Sequence, residues 1–232
     1  MYTVVFARMG TGHLAAYTIS DTVGRLVLVF FIGSANASGI LIGNLIGEDA
    51  DRAARKRGAT GAAPPAADPK ESAAQQIGIS LIKLMPVIGV VIGVIVFFPV
   101  ARWVPFLFEV SAEVRGMVTL LLRAFSVVML VKIVNMHIIV GILRGGGDTH
   151  FSLVIDVAFL WLVGVPAAFL SGLVLGFPVH VVYLCIGLEE TGKALGGIIR
   201  VFSGRWINDL TEPVENLHAP VPDASDATGF PL

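Results

Sequence analysis

The chain has little charge for its length. Only 14% of its 232 residues are charged and 55% are hydrophobic, whereas soluble domains are about 25% charged. The formal net charge is −1 and no basic stripe is present, which argues against a nucleic-acid partner. A single cysteine, Cys185, excludes a disulfide framework and a cysteine metal site. This composition favours a membrane protein with several spans.

Long apolar runs make up most of the sequence. A helix needs about 20 mostly apolar residues to cross the hydrocarbon layer of a bilayer. Five segments are long enough: 22–46, 78–101, 117–143, 151–174 and 178–199. They lack the period-two alternation of strands. The sequence therefore predicts an all-α, polytopic membrane helical bundle with five full transmembrane helices.

The first residues are apolar but too few to span. Tyr2–Met9 supplies eight residues before Gly10, and eight residues of helix cover only about 12 Å. A charged amine placed near mid-membrane would cost several kcal/mol. We expect residues 1–9 to be the end of a sixth, incomplete helix, or else residues 1–15 to stay outside the bilayer.

Lysine and arginine are distributed unequally between the connections. Eight lie in 47–77, in 144–150 and after residue 199, which the predicted spans place on one side of the membrane. Three lie in the segments on the opposite side. The positive-inside rule then predicts a cytoplasmic C-terminus in a multi-pass protein of the inner (plasma) membrane. Residues 57–76 are small, polar and Pro-rich, which predicts a flexible cytoplasmic loop. The acidic, Pro-rich residues 211–232 predict a disordered cytoplasmic tail.

Small residues recur every four positions in several predicted helices. The longest stripe contains Ala35, Gly39, Gly43 and Gly47. Shorter repeats are Gly89 with Gly93 and Gly192 with Gly196. Such faces let two helix backbones approach closely in lipid, so ordinary helix packing is the favoured interpretation. Close approach of the backbone to a substrate is the alternative.

Ionisable and polar residues inside the predicted spans are the candidate functional site. Each is costly in lipid unless it is paired or hydrated. Glu189 and Glu190 can both reach Lys193 by helical spacing, which leaves one carboxylate in need of a proton, a cation, or a partner such as Arg123 or Lys132. The candidate network, for structural pairing or for proton or cation coupling, comprises Asp156, Glu189, Glu190, Lys193, Lys132 and Asn135.

The remaining polar residues carry weaker signals. Asp21 and Arg25 are four residues apart and predict an interfacial ion pair. His137 could relay protons, although a hydrogen-bonded packing histidine is favoured. The other histidines do not cluster with acids at ligand spacing, so no metal site and no zinc are predicted.

The connection at residues 144–149 consists of Arg144, Gly145, Gly146, Gly147, Asp148 and Thr149. It lacks the lysine and the preceding strand of a phosphate-binding loop. An intramembrane aspartyl protease, with Asp148 and Asp156 sharing a proton, is the least favoured of three functional hypotheses; the other two are given at the end of this section. A tight helix crossing fits best. The glycines end one helix, Arg144 complements its C-terminal end, and Asp148 and Thr149 cap the next helix.

Three ordered segments carry a family resemblance. Residues 141–170 read GILRGGGDTHFSLVIDVAFLWLVGVPAAFL, residues 188–210 read LEETGKALGGIIRVFSGRWINDL, and residues 10–53 read GTGHLAAYTISDTVGRLVLVFFIGSANASGILIGNLIGEDADRA. They resemble three regions of the multidrug and toxic compound extrusion (MATE) transporters of the bacterial branch. In the same order, these are the segment that joins the tenth and eleventh helices, the last helix, and the region of the seventh and eighth helices. Residues 1–210 would then form the C-terminal lobe of a twelve-helix transporter.

The resemblance implies an antiporter that exports drugs or other amphipathic or cationic compounds in exchange for Na⁺ or H⁺. No other cofactor and no enzyme activity are implied. The chain would be a fragment that works with a missing N-terminal lobe, or with a second copy, in the lipid bilayer. The alternatives are a non-transporting membrane remnant or assembly subunit, and a lipid-linked oligosaccharide exporter of the wider superfamily.

Overall fold

The computed structural model describes residues 2–60 and 72–208, and this part of the chain is all-α. Six helices follow one another along it: α1 (Tyr2–Met9), α2 (Thr11–Thr60), α3 (Ala73–Leu107), α4 (Ala112–Leu143), α5 (Thr149–Val174) and α6 (Val179–Phe202). Within the described ranges the only extended pairing is an isolated antiparallel bridge between Gly147 and Ile207. The all-α prediction is confirmed for these residues.

Four of the described helices are long and apolar enough to cross a membrane. They are Thr11–Arg52 within α2, then α3, α4 and α5. By length and composition the chain is therefore a multi-pass membrane protein. The predicted span 178–199 coincides with α6, but Glu189, Glu190 and Lys193 in its middle keep it out of this set. A fifth crossing by α6 stays a prediction.

Residues 2–9 pack within the bundle. Gly10 has a φ of 135°, a conformation open to glycine, and it separates α1 from α2. The Phe6 side chain is fully buried, and its ring stacks on that of Tyr17 with centroids 4.3 Å apart. The α2 helix consequently begins at Thr11, eleven residues before the predicted span.

The connection between α2 and α3 is shorter than the predicted loop at both ends. The α2 helix continues to Thr60, and α3 begins at Ala73. Ser72 caps α3, because its Oγ accepts a hydrogen bond from the Gln75 N–H at 3.1 Å. Residues 61–71 and the predicted tail 211–232 lie outside the described residues, so both predictions remain untested there.

Three of the membrane helices contain wider π-helical turns. These turns cover Val96–Val100 in α3, His137–Leu143 in α4, and Leu160–Gly164 and Leu170–Val174 in α5. One includes Pro99, which has no N–H to donate. Such turns change which side of a helix faces a neighbour. The apolar sequence gave no sign of them.

Close packing of α2 on α4 depends on glycine. A Cβ added at Gly39 would lie 3.2 Å from the Gly141 carbonyl oxygen, and one at Gly145 would lie 2.7 Å from the Gly39 Cα. These contacts are backbone to backbone, as predicted for a stripe of small residues in lipid. A Cβ added at Gly43 would make an ordinary contact with the Gly145 oxygen, but one at Gly47 would have no neighbour within 4 Å. The stripe therefore packs over part of its length.

The α4 helix ends in a Schellman motif. Gly147 has a φ of 84°, in the left-handed region. Its N–H donates to the Arg144 carbonyl at 3.1 Å, and the Asp148 N–H donates to the Leu143 carbonyl at 2.8 Å. This pattern satisfies the last carbonyls of the helix and confirms the predicted glycine-dependent crossing.

The prediction that Asp148 and Thr149 cap α5 through their side chains is wrong. Asp148 occupies the capping position but makes no side-chain capping bond, and Thr149 is the first residue of the helix. The Asp148 Oδ2 instead accepts a hydrogen bond from the Arg200 Nε on α6, at 2.7 Å. A charge-assisted bond compensates a buried carboxylate better than a backbone amide does.

The segment after α6 returns to this crossing. The Trp206 side chain is fully buried, and its Nε1–H donates to the Gln75 Oε1 at 2.7 Å. A Cβ added at Gly146 would lie 2.8 Å from the Trp206 carbonyl oxygen, and the Asn208 N–H donates to the Gly146 oxygen at 2.9 Å. The start of α3, the α4–α5 crossing and the end of α6 therefore lie at one end of the bundle.

Candidate functional site

The six predicted polar residues meet in the interior of the bundle. Lys132 and Asn135 lie nearly one turn apart on α4, Asp156 lies on α5, and α6 supplies Glu189, Glu190 and Lys193. Each of the six has a hydrogen bond or an ion pair with another member. The network joins three helices, α4, α5 and α6.

Lys193 lies between two carboxylates. Its Nζ is 2.7 Å from the Asp156 Oδ1 on α5 and also donates to the Glu189 Oε1 one turn earlier on α6. The side chains of Lys193 and Glu189 are only 7% and 6% exposed, whereas that of Asp156 is 46% exposed. One ammonium therefore compensates a buried carboxylate and a partly exposed one.

Glu190 points to α4 instead of towards Lys193. Its Oε1 lies 3.2 Å from the Lys132 Nζ, and its Oε2 accepts a hydrogen bond from the Asn135 Nδ2 at 2.9 Å. The same amide donates to the Glu190 carbonyl oxygen at 2.7 Å. Lys132 is thus the partner of the second carboxylate, because successive residues on a helix point about 100° apart.

Arg123, the other partner considered for that carboxylate, does not reach it. Its guanidinium lies over the Phe97 ring of α3, with the Cζ 5.4 Å from the ring centroid. This places Arg123 on the opposite side of α4 from the network.

Tyr2 is a member of the network that sequence reasoning missed. Its hydroxyl donates a hydrogen bond to the Glu189 Oε2. A Cβ added at Gly164 would collide with both the Glu189 carboxylate and the Tyr2 hydroxyl. Gly164 therefore gives these groups the space in which they meet. A lone tyrosine in an eight-residue apolar segment carries no sequence signal for this role.

A cavity of about 420 Å³ adjoins the network. Three tyrosines contribute to its wall, namely Tyr2, Tyr17 and Tyr183. The charged residues that line it are four acids, Asp21, Asp156, Glu189 and Glu190, and four bases, Arg25, Lys132, Arg144 and Lys193. The formal charge of the lining is therefore balanced.

Asp21 and Arg25 form the predicted ion pair, with the Arg25 Nε 2.8 Å from the Asp21 Oδ2. They lie ten or more residues inside α2 and face the cavity. The predicted ion pair is therefore confirmed, and its location at the membrane interface stays a prediction. Arg144 also lines the cavity, so its role extends beyond the end of α4.

His137 is a packing residue, as the favoured interpretation predicted. It is 1% exposed, and its Nδ1 lies 2.9 Å from the Ile133 carbonyl oxygen. Its Nε2 lies 3.0 Å from the Ser34 Oγ on α2. With Nδ1 protonated, the imidazole donates to Ile133 and accepts from Ser34, so both nitrogens are engaged.

The network contains three carboxylates but only two lysine ammonium groups. A proton or a metal cation that reaches one of these carboxylate oxygens would compete with the ammonium paired to it. Among residues 2–60 and 72–208, no group of three or more His, Cys, Asp or Glu residues is placed to hold a metal ion. Chain comparison yields no matching family model, curated protein or solved structure.

Proposed function

We propose that the chain is part of a membrane antiporter that exports drugs or other amphipathic or cationic compounds in exchange for Na⁺ or H⁺. One observation carries the proposal. A network of three carboxylates and two ammonium groups borders a cavity inside a bundle of apolar helices. Intramembrane charges of this kind are costly to keep and are typical of ion pathways.

Glu190 is the proposed coupling group. It is partly buried, and it connects α6 to α4 through Lys132 and Asn135. Binding of a proton or Na⁺ at this carboxylate weakens the bond to Lys132, which frees the two helices to separate. A conformational change tied to ion binding in this way is what antiport requires.

The chain would form the C-terminal lobe of the transporter. Alternating access needs two halves that rock against each other around the binding site. An N-terminal lobe or a second copy of this chain would supply the other half, in the inner (plasma) membrane with the C-terminus in the cytoplasm. Bulky amphipathic substrates would bind against Tyr17 and Tyr183 in the cavity.

The test is gradient-driven transport by the full chain in proteoliposomes. The probe is ethidium, a fluorescent organic cation, and a Na⁺ gradient or a pH gradient is imposed in separate experiments. We expect transport under one of the gradients and at least a tenfold loss in Glu190→Gln. The matched control is Glu48→Gln, which removes an exposed carboxylate paired with Arg52 and should transport normally.

Two results would contradict the proposal. The first is equal transport by Glu190→Gln and the wild type. The second is no transport under either gradient by folded protein that has its other half, as a dimer or with an N-terminal lobe, which would favour a non-transporting membrane subunit. Movement of a lipid-linked oligosaccharide, without movement of ethidium, would favour the exporter of such lipids.

A further inference from the structure

Arg123 is a cation within a membrane helix that has no anionic partner. It lies eleven residues after Ala112, which is roughly 17 Å along α4. In the part of the chain that the structure describes, no carboxylate lies within ion-pair distance of it. Its Nε is buried without a hydrogen-bond partner, and its guanidinium stacks on the face of Phe97. The Nε–H therefore has no oxygen acceptor among the described residues.

The Phe97 ring on which this guanidinium stacks also lines an apolar groove between α3 and α4. Its walls come from Gly93, Val94 and Phe97 of α3 and from Ser126, Val127 and Leu130 of α4, and its volume is about 170 Å³. The Ser126 hydroxyl donates to the Arg123 carbonyl oxygen at 2.7 Å, so it presents no free donor to the groove. This α3–α4 groove therefore suits a hydrocarbon chain.

A second arginine lies two turns closer to the start of α4. The Arg115 guanidinium lies over the Phe106 ring of α3, with the Cζ 4.9 Å from the centroid. Its Nε is also buried without a partner. The two arginines form a cationic path that leads from the start of α4 to the groove, and both stack on phenylalanines of the neighbouring helix.

We propose that the α3–α4 groove binds an anionic phospholipid. One acyl chain lies against Gly93 and Leu130, and a phosphate oxygen accepts hydrogen bonds from the Arg123 guanidinium. Arginine suits this role because its planar fork matches phosphate and stacks on aromatic rings. Arg115, nearer the surface, attracts the negative headgroup. The inference is independent of the proposed transport, because it concerns the opposite side of α4.

The experiment is lipid retention by the full chain, measured by native mass spectrometry in detergent. Phosphatidylglycerol and phosphatidylcholine with identical acyl chains are added in equal amounts. We expect preferential retention of phosphatidylglycerol, and about tenfold weaker binding in Arg123→Gln, as for the loss of hydrogen bonds to a charged group. Arg102→Gln, which removes an exposed arginine on α3, is the matched control and should bind normally.

Two further arms distinguish the source of the phosphate and the role of the groove. Inorganic phosphate at the same concentration should not displace the lipid, since it has no acyl chain. Val127→Trp should fill the groove and reduce retention of both lipids, with Arg123 intact. Wild-type retention of phosphatidylglycerol in Arg123→Gln would overturn the proposal, as would equal retention of the two lipids by the wild type.

Discussion

At the scale of single residues, two lysines inside the bundle pair with carboxylates on other helices. Lys193 on α6 connects to Asp156 on α5, and Lys132 on α4 connects to Glu190 on α6. A buried ion pair is weak evidence for stability, but breaking one by removing a single partner is strongly destabilising. Single and paired substitutions should therefore behave differently.

Lys193→Met should destabilise the protein by about 3–5 kcal/mol, because it leaves the Glu189 carboxylate buried without a cation. The double variant Lys193→Met, Glu189→Gln should recover most of that loss, since neither charge remains. Thermal unfolding in detergent measures both. Equal destabilisation by the single and double variants would show that lost packing, not an uncompensated charge, is responsible.

Residue spacing along one helix predicted some of the ion pairs in this network. The others depend on how neighbouring helices face each other, which spacing does not show. The four-residue interval between Glu189 and Lys193 predicted their bond correctly. It could not show that Glu190 turns to Lys132, because that depends on how α4 faces α6. Asp148 illustrates the same limit, since a carboxylate at a helix start can cap or can pair, and the position of Arg200 decides.

At the scale of elements, the α2–α4 crossing depends on glycines, because they have no side chain to keep the two backbones apart. Gly145 lies against Gly39 with no room for a Cβ, whereas Gly47 on the same stripe of α2 has open space around it. Hydrophobic burial does not drive association in lipid, so close backbone contact must contribute. The two glycines should therefore differ in their tolerance of alanine.

Gly145→Ala should destabilise the bundle by about 1–3 kcal/mol, because the added methyl group meets the Gly39 backbone. Gly47→Ala should be neutral or stabilising by up to about 1 kcal/mol, since alanine is the better helix former. Unfolding midpoints in the same detergent compare the pair. A loss of stability in Gly47→Ala would indicate a neighbour that the described residues do not include.

The segment after α6 should also be sensitive to a small change. Trp206→Phe leaves the Gln75 Oε1 without its buried donor and should cost roughly 1–3 kcal/mol. Trp103→Phe is the control, because Trp103 is 71% exposed and should change stability little. Protease accessibility of the α4–α5 crossing should rise only in Trp206→Phe. Equal rates of cleavage in both variants would show that Trp206 does not hold the segment after α6 against the α4–α5 crossing.

At the scale of the whole molecule, both ends of the bundle can be identified from contacts. The start of α3 and the end of α6 meet through Gln75 and Trp206, and the end of α4 contacts α2 at Gly43. The start of α4 lies at the other end, next to the end of α3. The positive-inside rule predicts that the first end faces the cytoplasm.

Cysteine labelling in intact cells tests this orientation. In a Cys185→Ser background, Glu48→Cys and Arg205→Cys should resist a membrane-impermeant reagent until the membrane is opened. Glu113→Cys, at the start of α4, should react at once. Reaction of Arg205→Cys from outside would reverse the topology. Reaction of Glu48→Cys and Arg205→Cys from opposite sides would contradict the fold itself.

Hydropathy predicted the membrane helices well, because a run of apolar residues is a property of sequence alone. The α2 helix begins eleven residues before the predicted span, and Tyr17 and Asp21 in that stretch face the cavity. Hydropathy missed the π-helical turns, which insert residues without any change of composition. Tyr2 escaped notice because its partner, Glu189, is 187 residues away.

The balanced lining of the cavity has an electrical consequence. A membrane potential does work on any charge that crosses it, about 2.3 kcal/mol per elementary charge per 100 mV. In the proposed antiporter, four acids and four bases that move together cancel, so the protein without ions or substrate should reorient with almost no voltage dependence. Any current measured during a transport cycle would then report the net charge of the ions and substrate that cross the membrane.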